Sequence, residues 1–219
     1  MKKILAFTGS PRNNGNSTIL LESFLSGIKE HSNKTEIIDV HNINLKYCTG
    51  CLRCNILGRC SISDDDWPTI SKKIEDSDIL VFSSPIYFHH VPAALKKVID
   101  RFRSFVKVQI TETGLNHTPW KTWKKDFVLL LTMGSSDVAD AKPVRGLFEF
   151  MKSILGSENK LHVITATRLA VTKQIIKNEE ELKDLYRKLK LPEKLINDDY
   201  MQNMQTLDKC FKLGKKLVK

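Results

Sequence analysis

The chain has 219 residues, a mass of 25.0 kDa and a hydrophobic content of 41%, enough for one domain with a buried core and too apolar for a disordered chain. Its 35 basic and 25 acidic residues give a net charge of +10. This excess is spread along the sequence, without the basic patch and interleaved aromatic residues of a nucleic-acid-binding module. We therefore expect a folded protein whose partners are small molecules rather than nucleic acids.

The apolar segments of the chain are too short to span a membrane. They are strand-sized, as in Phe127–Thr132, whereas a spanning helix needs about 20 apolar residues. The first residues, MKKILAFTGSPR, lack the apolar core and the cleavage site of a signal peptide. We expect a cytoplasmic protein with no membrane contact.

Strand and helix patterns alternate from the N-terminus. Lys3–Thr8 is a short apolar run that predicts a strand, and apolar residues with helical spacing begin at Ser17. Lys34–Val40 predicts a second strand, after which residues 41–63 have no regular pattern. A helix is then expected over Asp64–Asp76, with its three leading acidic residues at the positive end of the helix dipole.

The same alternation continues through the middle of the chain. Asp78–Ser83 predicts a third strand, buried on both faces, and Pro92 starts a helix with one apolar stripe. Residues 104–125 show no clear pattern, and a loop of that length is usually functional or part of an interface. Asp126–Thr132 predicts a fourth strand.

The remaining elements complete an α/β pattern. Arg145–Leu155 predicts a helix, His162–Thr167 a fifth strand, and Tyr200–Val218 a final amphipathic helix. Five apolar strands separated by helices predict a doubly wound parallel sheet with helices on both faces. Residues 1–169 are expected to form this domain, and residues 170–219 a C-terminal helical extension packed on it.

Three loops follow strand ends, where ligands of open parallel sheets bind. The first, Gly9–Thr18, is dense in small and hydroxyl residues and leads into a helix. Its hydrogen-bond donors are Ser10, Asn16, Ser17 and Thr18. It matches neither the dinucleotide-binding glycine pattern nor the Walker A loop. The loop predicts an anion site, most naturally for a phosphate, and the alternative is an ordinary polar turn that caps the helix.

The other two loops are candidates for binding a planar ring. Ser84–His90 places Tyr87 and Phe88 at a strand end, where a ring could stack on them. The alternative is that both are core aromatic residues. Gly134–Ser136 could approach the same ring with backbone groups.

Four of the five cysteines are close together in sequence, with the spacing C-x2-C-x2-C-x5-C. They are Cys48, Cys51, Cys54 and Cys60. In a cytosolic chain such clustering indicates metal, cluster or redox chemistry rather than disulfides. The spacing suits an iron–sulfur cluster. Free redox-active thiols are an alternative, and so is zinc, although zinc sites usually have two separated C-x2-C pairs.

Several loop and helix motifs occur together in one order. They are Gly9-Ser10-Pro11-Arg12, Gly15-Asn16-Ser17, Ser84-Pro85-Ile86-Tyr87, and Leu95-Lys96 with Asp100-Arg101. In combination they resemble the NADPH-dependent FMN reductase family over roughly residues 1–165. The resemblance implies a flavodoxin-like fold, with a five-stranded parallel sheet in a three-layer α/β/α arrangement.

The resemblance also implies an FMN site and assigns its parts. The FMN phosphate would be held by Ser10, Arg12, Asn16, Ser17 and Thr18. The isoalloxazine would be bordered by Pro85, Ile86, Tyr87 and Phe88, and closed on its other side by Gly134 and Ser135. The chemistry would belong to the flavin, with no catalytic side chain.

The cysteine spacing is similar to that of the iron–sulfur flavoproteins, a branch of the same group. That resemblance implies a [4Fe–4S] cluster on the four cysteines, electron exchange with FMN across the subunits of a homodimer or homotetramer, and ferredoxin as a partner. Related reductases with similar cysteine loops, followed by an acidic stretch such as Asp64-Asp65-Asp66, occur without a documented cluster. Free thiols therefore stay open as the alternative.

Three functions follow from these resemblances. The leading prediction is an FMN-dependent oxidoreductase in which NAD(P)H reduces the bound flavin and a quinone, a nitroaromatic compound or a free flavin accepts the electrons. The first alternative is an iron–sulfur flavoprotein that carries electrons from ferredoxin. The second is a non-enzymatic redox sensor that uses its cysteines on a flavodoxin-like scaffold.

Overall fold

A computed structural model describes residues 1–29 and 33–219 of the chain. Its strands are β1 (Lys3–Thr8), β2 (Lys34–Asp39), β3 (Ile79–Pro85), β4 (Val106–Thr111), β5 (Gly114–Pro119), β6 (Asp126–Thr132) and β7 (Lys160–Ala166). Five of them form a parallel sheet in the order β2–β1–β3–β6–β7. The central strands β3 and β6 are apolar runs buried on both faces, as a parallel sheet covered by helices requires.

Helices cover both faces of this sheet. The helices of the described residues are α1 (Asn16–Lys29), α2 (Cys54–Leu57), α3 (Trp67–Asp76), α4 (Ala93–Arg101), α5 (Lys142–Leu155), α6 (Glu179–Leu189) and α7 (Ile196–Val218). Of these, α2 lies in the cysteine loop and α6 packs on α7. One face packs on α3, α4 and α5 through a cluster that includes Phe82, Phe127 and Phe148. The other face packs on α1 and α7 around Val81 and Val128. The three layers and the strand order confirm the predicted flavodoxin-like fold.

The last helix is held unusually close to the first. A Cβ atom added at Gly27 of α1 would lie 2.1 Å from the carbonyl oxygen of Phe211, and one added at Gly214 of α7 would lie 2.1 Å from that of Phe24. Ser23 also donates a hydrogen bond to the carbonyl of Leu207, at 2.7 Å. These contacts fix α7 against the second half of α1, the helix that begins in the predicted phosphate loop.

The prediction of a patternless loop over residues 104–125 is wrong. A 3-10 helix over Phe102–Phe105 leads into an antiparallel hairpin of β4 and β5, outside the main sheet. The alternation of Val106, Val108 and Ile110 is the sequence signal for β4, although the strands are short and mostly polar. Trp123, beyond the hairpin, is buried in the aromatic core.

The helix expected over Asp64–Asp76 begins later, at Trp67. The aspartates before it hold the preceding loop instead, because the carboxylates of Asp65 and Asp66 accept hydrogen bonds from the backbone amides of Lys46 and Asn44, at 3.0 and 2.8 Å. They therefore brace the start of the cysteine loop. Across residues 1–29 and 33–219, no helix is long and apolar enough to cross a membrane.

Candidate functional site

Three loops and one further segment surround a cavity of about 220 Å³ at the carboxyl edge of the sheet. The loops follow β1, β3 and β6, as predicted, and the further segment follows β7. The lining residues are Ser10, Arg12, Gly15, Asn16, Ser17, Pro85, Ile86, Tyr87, Thr132, Met133, Gly134, Leu169 and Ala170. Parallel strands bring all of these segments to the same edge of the sheet.

The first loop forms a cradle at the start of α1. The amides of the first helical turn have no partner within the helix and carry its positive dipole. Gly15 leaves room for the turn, because a Cβ atom there would lie 2.4 Å from the Ser10 hydroxyl oxygen. The Ser83 hydroxyl donates a hydrogen bond to the Ser17 carbonyl and so fixes the helix start to the end of β3. The Ser10 hydroxyl donates to the Arg12 carbonyl at 3.1 Å and accepts from the Arg12 amide at 3.2 Å, within the loop. The helix-start amides, the Ser17 hydroxyl and the Arg12 guanidinium together suit a phosphate.

Two of the side chains that were predicted to hold the phosphate also form hydrogen bonds with the segment after β7. Arg12 Nη1 donates to the Ala170 carbonyl at 3.2 Å. Asn16 Nδ2 donates to the Val171 carbonyl at 2.8 Å, and its Oδ1 accepts from the Ile175 amide at 3.2 Å. The Asn16 side chain is thus bonded to the protein at both of its polar atoms, and its backbone amide is the group left for a phosphate.

The second loop lines the cavity with Pro85, Ile86 and Tyr87 but turns Phe88 outward. The Tyr87 and His90 backbones pair around a tight turn, and the Phe88 side chain is fully exposed. Phe88 and His89 have φ angles of +47° and +62°, a conformation that costs on the order of 1–3 kcal/mol at a non-glycine residue. Thus Tyr87 can border a ring inside the cavity, whereas Phe88 can contact only something that approaches from outside.

The other walls contain both predicted and unpredicted residues. Gly134 lines the cavity as expected, whereas the Ser135 hydroxyl accepts from the Asp137 amide at 3.1 Å, within its own loop. Thr18 lies half-buried in α1, beyond the lining. The residues that the sequence analysis missed are Thr132, Met133, Leu169 and Ala170. The last two follow the carboxyl end of β7, so the strand-end rule would have found them.

The four clustered cysteines line a second cavity, of about 180 Å³. Cys54 is buried at the start of α2, Cys48 and Cys60 are half-buried, and Cys51 is exposed. In the part of the chain that the structure describes, no three His, Cys, Asp or Glu side chains converge closely enough for a single metal ion. The four thiols nevertheless line one shared space.

Two arginines, Arg101 and Arg103, line this cavity. Arg103 Nη1 lies 3.5 Å from Cys54 Sγ and donates to the Val106 carbonyl at 2.8 Å. Arg101 forms a fully buried ion pair with Asp65 at 2.6 Å. Burial by itself would raise the pKa of Asp65, but hydrogen bonds from Arg101 and from backbone amides hold that pKa below its usual value. Asp65 is therefore ionised at neutral pH.

The hairpin of β4 and β5 is fastened to the cysteine loop by Asn55. Its Nδ2 donates to the Val108 carbonyl at 2.8 Å, and its Oδ1 accepts from the Val108 amide at 3.0 Å. Arg103 also donates to Asn55 Oδ1, at 2.9 Å. The segment that looked patternless in the sequence is thus part of the support for the cysteine cavity.

The surroundings of the cysteines give their thiols different pKa values and therefore different reactivities. A hydrogen bond from Ser61 and one from the Arg53 backbone amide lower the pKa of the Cys51 thiol to about 7. Burial raises the pKa of Cys54, and Arg103 only partly opposes this. Burial also raises the pKa of Cys210, in α7, to about 12.

In iron-free, reduced protein, Cys51 is therefore expected to be alkylated first. At pH 7 a thiol with a pKa of about 7 is about half ionised, against about 3% for an ordinary thiol. Its lower intrinsic nucleophilicity offsets part of this gain, which leaves an expected advantage of several-fold. Mass spectrometry of iodoacetamide-treated protein from pH 5 to 9 would measure it. A rate midpoint above pH 8, or first labelling at Cys210, would contradict the described environment of Cys51.

Several known proteins are similar to this chain. The family model described as NADPH-dependent FMN reductase matches residues 2–171. The iron-sulfur flavoprotein MJ1083 of Methanocaldococcus jannaschii is 40% identical over 101 residues, 46% of this chain and 52% of that relative. An iron-sulfur flavoprotein of Methanosarcina thermophila is 31% identical over 99 residues, 45% of this chain and 51% of that relative. The chain spans about half the length of these curated relatives.

Solved structures share the fold along nearly the whole chain. An azoreductase from Bacillus anthracis has a TM-score of 0.64 at 16% identity, covering 99% of this chain and 100% of that one. An NAD(P)H:quinone oxidoreductase from Methanothermobacter marburgensis has a TM-score of 0.63 at 16% identity, covering 99% and 96%. At such low identity the likeness concerns the fold alone.

Proposed function

Because the chain belongs to the NADPH-dependent FMN reductase family, we propose that it binds FMN in the carboxyl-edge cavity and acts as an NAD(P)H-dependent oxidoreductase. The observation that carries this proposal is the cradle at the start of α1. It combines free helix-start amides, Ser10 and Arg12 in one cavity with the flat wall of Pro85–Tyr87.

The residues of the cavity fit the two ends of FMN. Ser10, Arg12, Ser17 and the first amides of α1 would hold the phosphate. Pro85, Ile86 and Tyr87 would border the ring on one side, and Met133 and Gly134 on the other. Bound FMN would supply the hydride- and electron-transfer chemistry. The protein would orient the ring and leave part of it open, since the cavity is smaller than the about 300–1,000 Å³ that enclose whole ligands.

The electron donor and acceptor are parts of the same proposal. The family description names NADPH, which supports a nicotinamide donor. We propose a quinone, a nitroaromatic compound or a free flavin as the acceptor, because each is a planar molecule that can approach the open side of the cavity. Steady-state oxidation of NADH or NADPH with each acceptor would test this. Flavin-loaded protein without turnover would instead favour an electron carrier.

A second proposal concerns the cysteine cavity. We propose that Cys48, Cys51, Cys54 and Cys60 hold a [4Fe–4S] cluster, with ferredoxin as an alternative electron donor to the nicotinamide. Three observations support it: the four thiols line one cavity, relatives named iron-sulfur flavoproteins match about half of the chain, and Arg101 Nε is a buried donor without an acceptor among the described residues. Cluster sulfur would accept from such donors. If the cavity holds only thiols, the protein is a reductase with reactive cysteines or a redox sensor.

We also propose a cytoplasmic homodimer or homotetramer. The cytoplasm would keep the four thiols reduced. Large apolar side chains are exposed near the cysteine loop and at the hairpin, with Ile56 86% and Ile110 88% exposed. Burying such side chains against a second copy would remove apolar surface from water. Sedimentation analysis of flavin-loaded protein would give the oligomeric state.

The FMN site is tested by the double variant Arg12→Ala/Ser17→Ala. It removes two hydrogen bonds to a charged phosphate, each worth on the order of 1.5–3 kcal/mol. The Kd for FMN is therefore expected to rise by at least about 100-fold. Quenching of flavin fluorescence during titration would measure it.

The matched control for this variant is Arg145→Ala. Arg145 is an exposed arginine on α5, outside the cavity lining, so the change in charge is the same and the Kd should not move. Wild-type affinity in the double variant would show that the phosphate lies elsewhere.

A further inference from the structure

A buried glutamine forms hydrogen bonds with the backbone of the segment after β7, which lines the carboxyl-edge cavity. Gln174 lies just after β7 and is 1% exposed. Its Oε1 accepts from the Ala170 and Val171 amides, at 2.9 and 3.2 Å, and its Nε2 donates to the Arg168 carbonyl at 2.8 Å. One side chain therefore satisfies three backbone groups of the segment 168–171, which contains the cavity-lining Leu169 and Ala170.

The same segment is tied to the phosphate loop from the other side. Asn16 bridges the Val171 carbonyl and the Ile175 amide, and Arg12 donates to the Ala170 carbonyl. The segment thus decides how two side chains of the phosphate loop are oriented. If its backbone moved, Asn16 and Arg12 would have to find other partners.

The C-terminal helices hold the start of this segment in place. Arg168 has a φ angle of +54°, and its guanidinium is paired with the buried carboxylate of Asp199 in α7. Tyr186 of α6 donates a hydrogen bond to the same carboxylate. Gln202 of α7 donates to the Thr167 hydroxyl at 2.8 Å. Residues beyond the family match at 171 therefore anchor one wall of the cavity.

We propose that Gln174 is a positioning residue for FMN: it never touches the ligand but fixes segment 168–171, and through it Arg12 and Asn16, in the geometry that accepts the phosphate. This inference rests on the proposed FMN site. Without Gln174, the amides of Ala170 and Val171 lose the acceptor in two partly buried hydrogen bonds. An amide that loses its partner in a partly buried place costs free energy, so the segment would shift until both amides reached water.

The test compares Gln174→Met with a matched control, Asn159→Leu. Methionine keeps the length of the side chain and removes all three hydrogen bonds. Asn159 is likewise a buried amide that bonds two backbone groups, the Lys125 amide and the Lys152 carbonyl, at 2.8 and 3.0 Å, but it lies beside the opposite end of β7. Both variants should lose thermal stability, so stability alone does not separate the two roles.

The deciding measurements are the Kd for FMN and backbone amide exchange. Gln174→Met is expected to raise the Kd by at least tenfold and to speed hydrogen exchange at residues 168–171 in flavin-free protein. Asn159→Leu should leave both unchanged. A wild-type Kd in Gln174→Met, with the wild-type protein binding FMN, would overturn the positioning role alone. Wild-type protein that fails to bind FMN would overturn both this inference and the proposed site.

A second variant keeps the inference testable if Gln174→Met does not fold. Asp199→Asn weakens the pairing with Arg168 and so loosens the same segment from its other end. Its Kd for FMN is expected to rise at least threefold, with faster exchange at residues 168–171. Unchanged values would overturn the inference.

Discussion

Replacing Arg101 by methionine is expected to destabilise the protein by about 3–5 kcal/mol, because it leaves a buried carboxylate without its partner. The side chains of Asp65 and Arg101 are both fully buried and meet at 2.6 Å. Arg101 also donates to the carbonyls of Lys46 and Ile62, at 2.9 and 3.0 Å, on either side of the four cysteines. The substitution should therefore loosen both ends of the cysteine loop. Urea unfolding followed by circular dichroism would measure the free energy of unfolding.

The double variant Arg101→Met/Asp65→Leu is the control for this prediction. It removes both charges, so the penalty for an unpaired buried carboxylate disappears and a large part of the stability should return. If the single variant loses less than about 1 kcal/mol, the ion pair is not buried as described. If the double variant is as unstable as the single one, the hydrogen bonds of Arg101 and Asp65 to the backbone matter more than the unpaired charge.

Replacing Cys54 by alanine is expected to reduce the iron content from about four atoms per chain to background in protein purified without oxygen. Cys54 is the buried member of the four and the one that Arg103 contacts, so its loss should affect the proposed cluster most directly. FMN binding should be retained, because Cys54 lies outside the lining of the carboxyl-edge cavity. Iron and acid-labile sulfide counts, with an absorption spectrum, would measure both cofactors in one sample.

Cys210→Ala provides the matched control, since Cys210 is a buried cysteine in α7 that is not part of the loop. It should keep the full iron content. Iron retained in Cys54→Ala would place the metal elsewhere. Flavin bands without iron in the wild-type protein would contradict the cluster and leave the four cysteines as thiols, for which the reactivity of Cys51 becomes the next measurement.

Much of the fold was predictable because buried positions form runs and stripes of apolar residues over short distances along the chain. The run Phe127–Leu131 is apolar at every position and belongs to a central strand. The stripe of Leu95, Val98 and Ile99 faces the core from α4. The hairpin of β4 and β5 was missed because it lies outside the sheet, against α2 and α5, so most of its residues are exposed and polar.

The candidate site was predictable in outline and not in its hydrogen bonds. The rule that ligands bind at the carboxyl ends of parallel strands pointed to Ser10, Ser17 and Tyr87, and all three line one cavity. Sequence patterns could not show that the Asn16 side chain forms hydrogen bonds with the backbone of residues 171 and 175, which are far away in sequence. Nor could they show that the turn after Tyr87 points Phe88 into solvent.

What the sequence determined by itself was the alternation of strands and helices, the loops at the strand ends and the grouping of four cysteines. These depend on local spacing, which a single chain displays directly. Only the tertiary structure decided which polar groups stay free for a ligand. Asp65 pairs with Arg101, and Gln174 forms hydrogen bonds with the backbone of residues 168–171, because folding packs separate elements together. A polar side chain that is bonded within the fold and one that is available to a ligand look the same in sequence. They differ in the neighbours that folding brings within hydrogen-bonding distance.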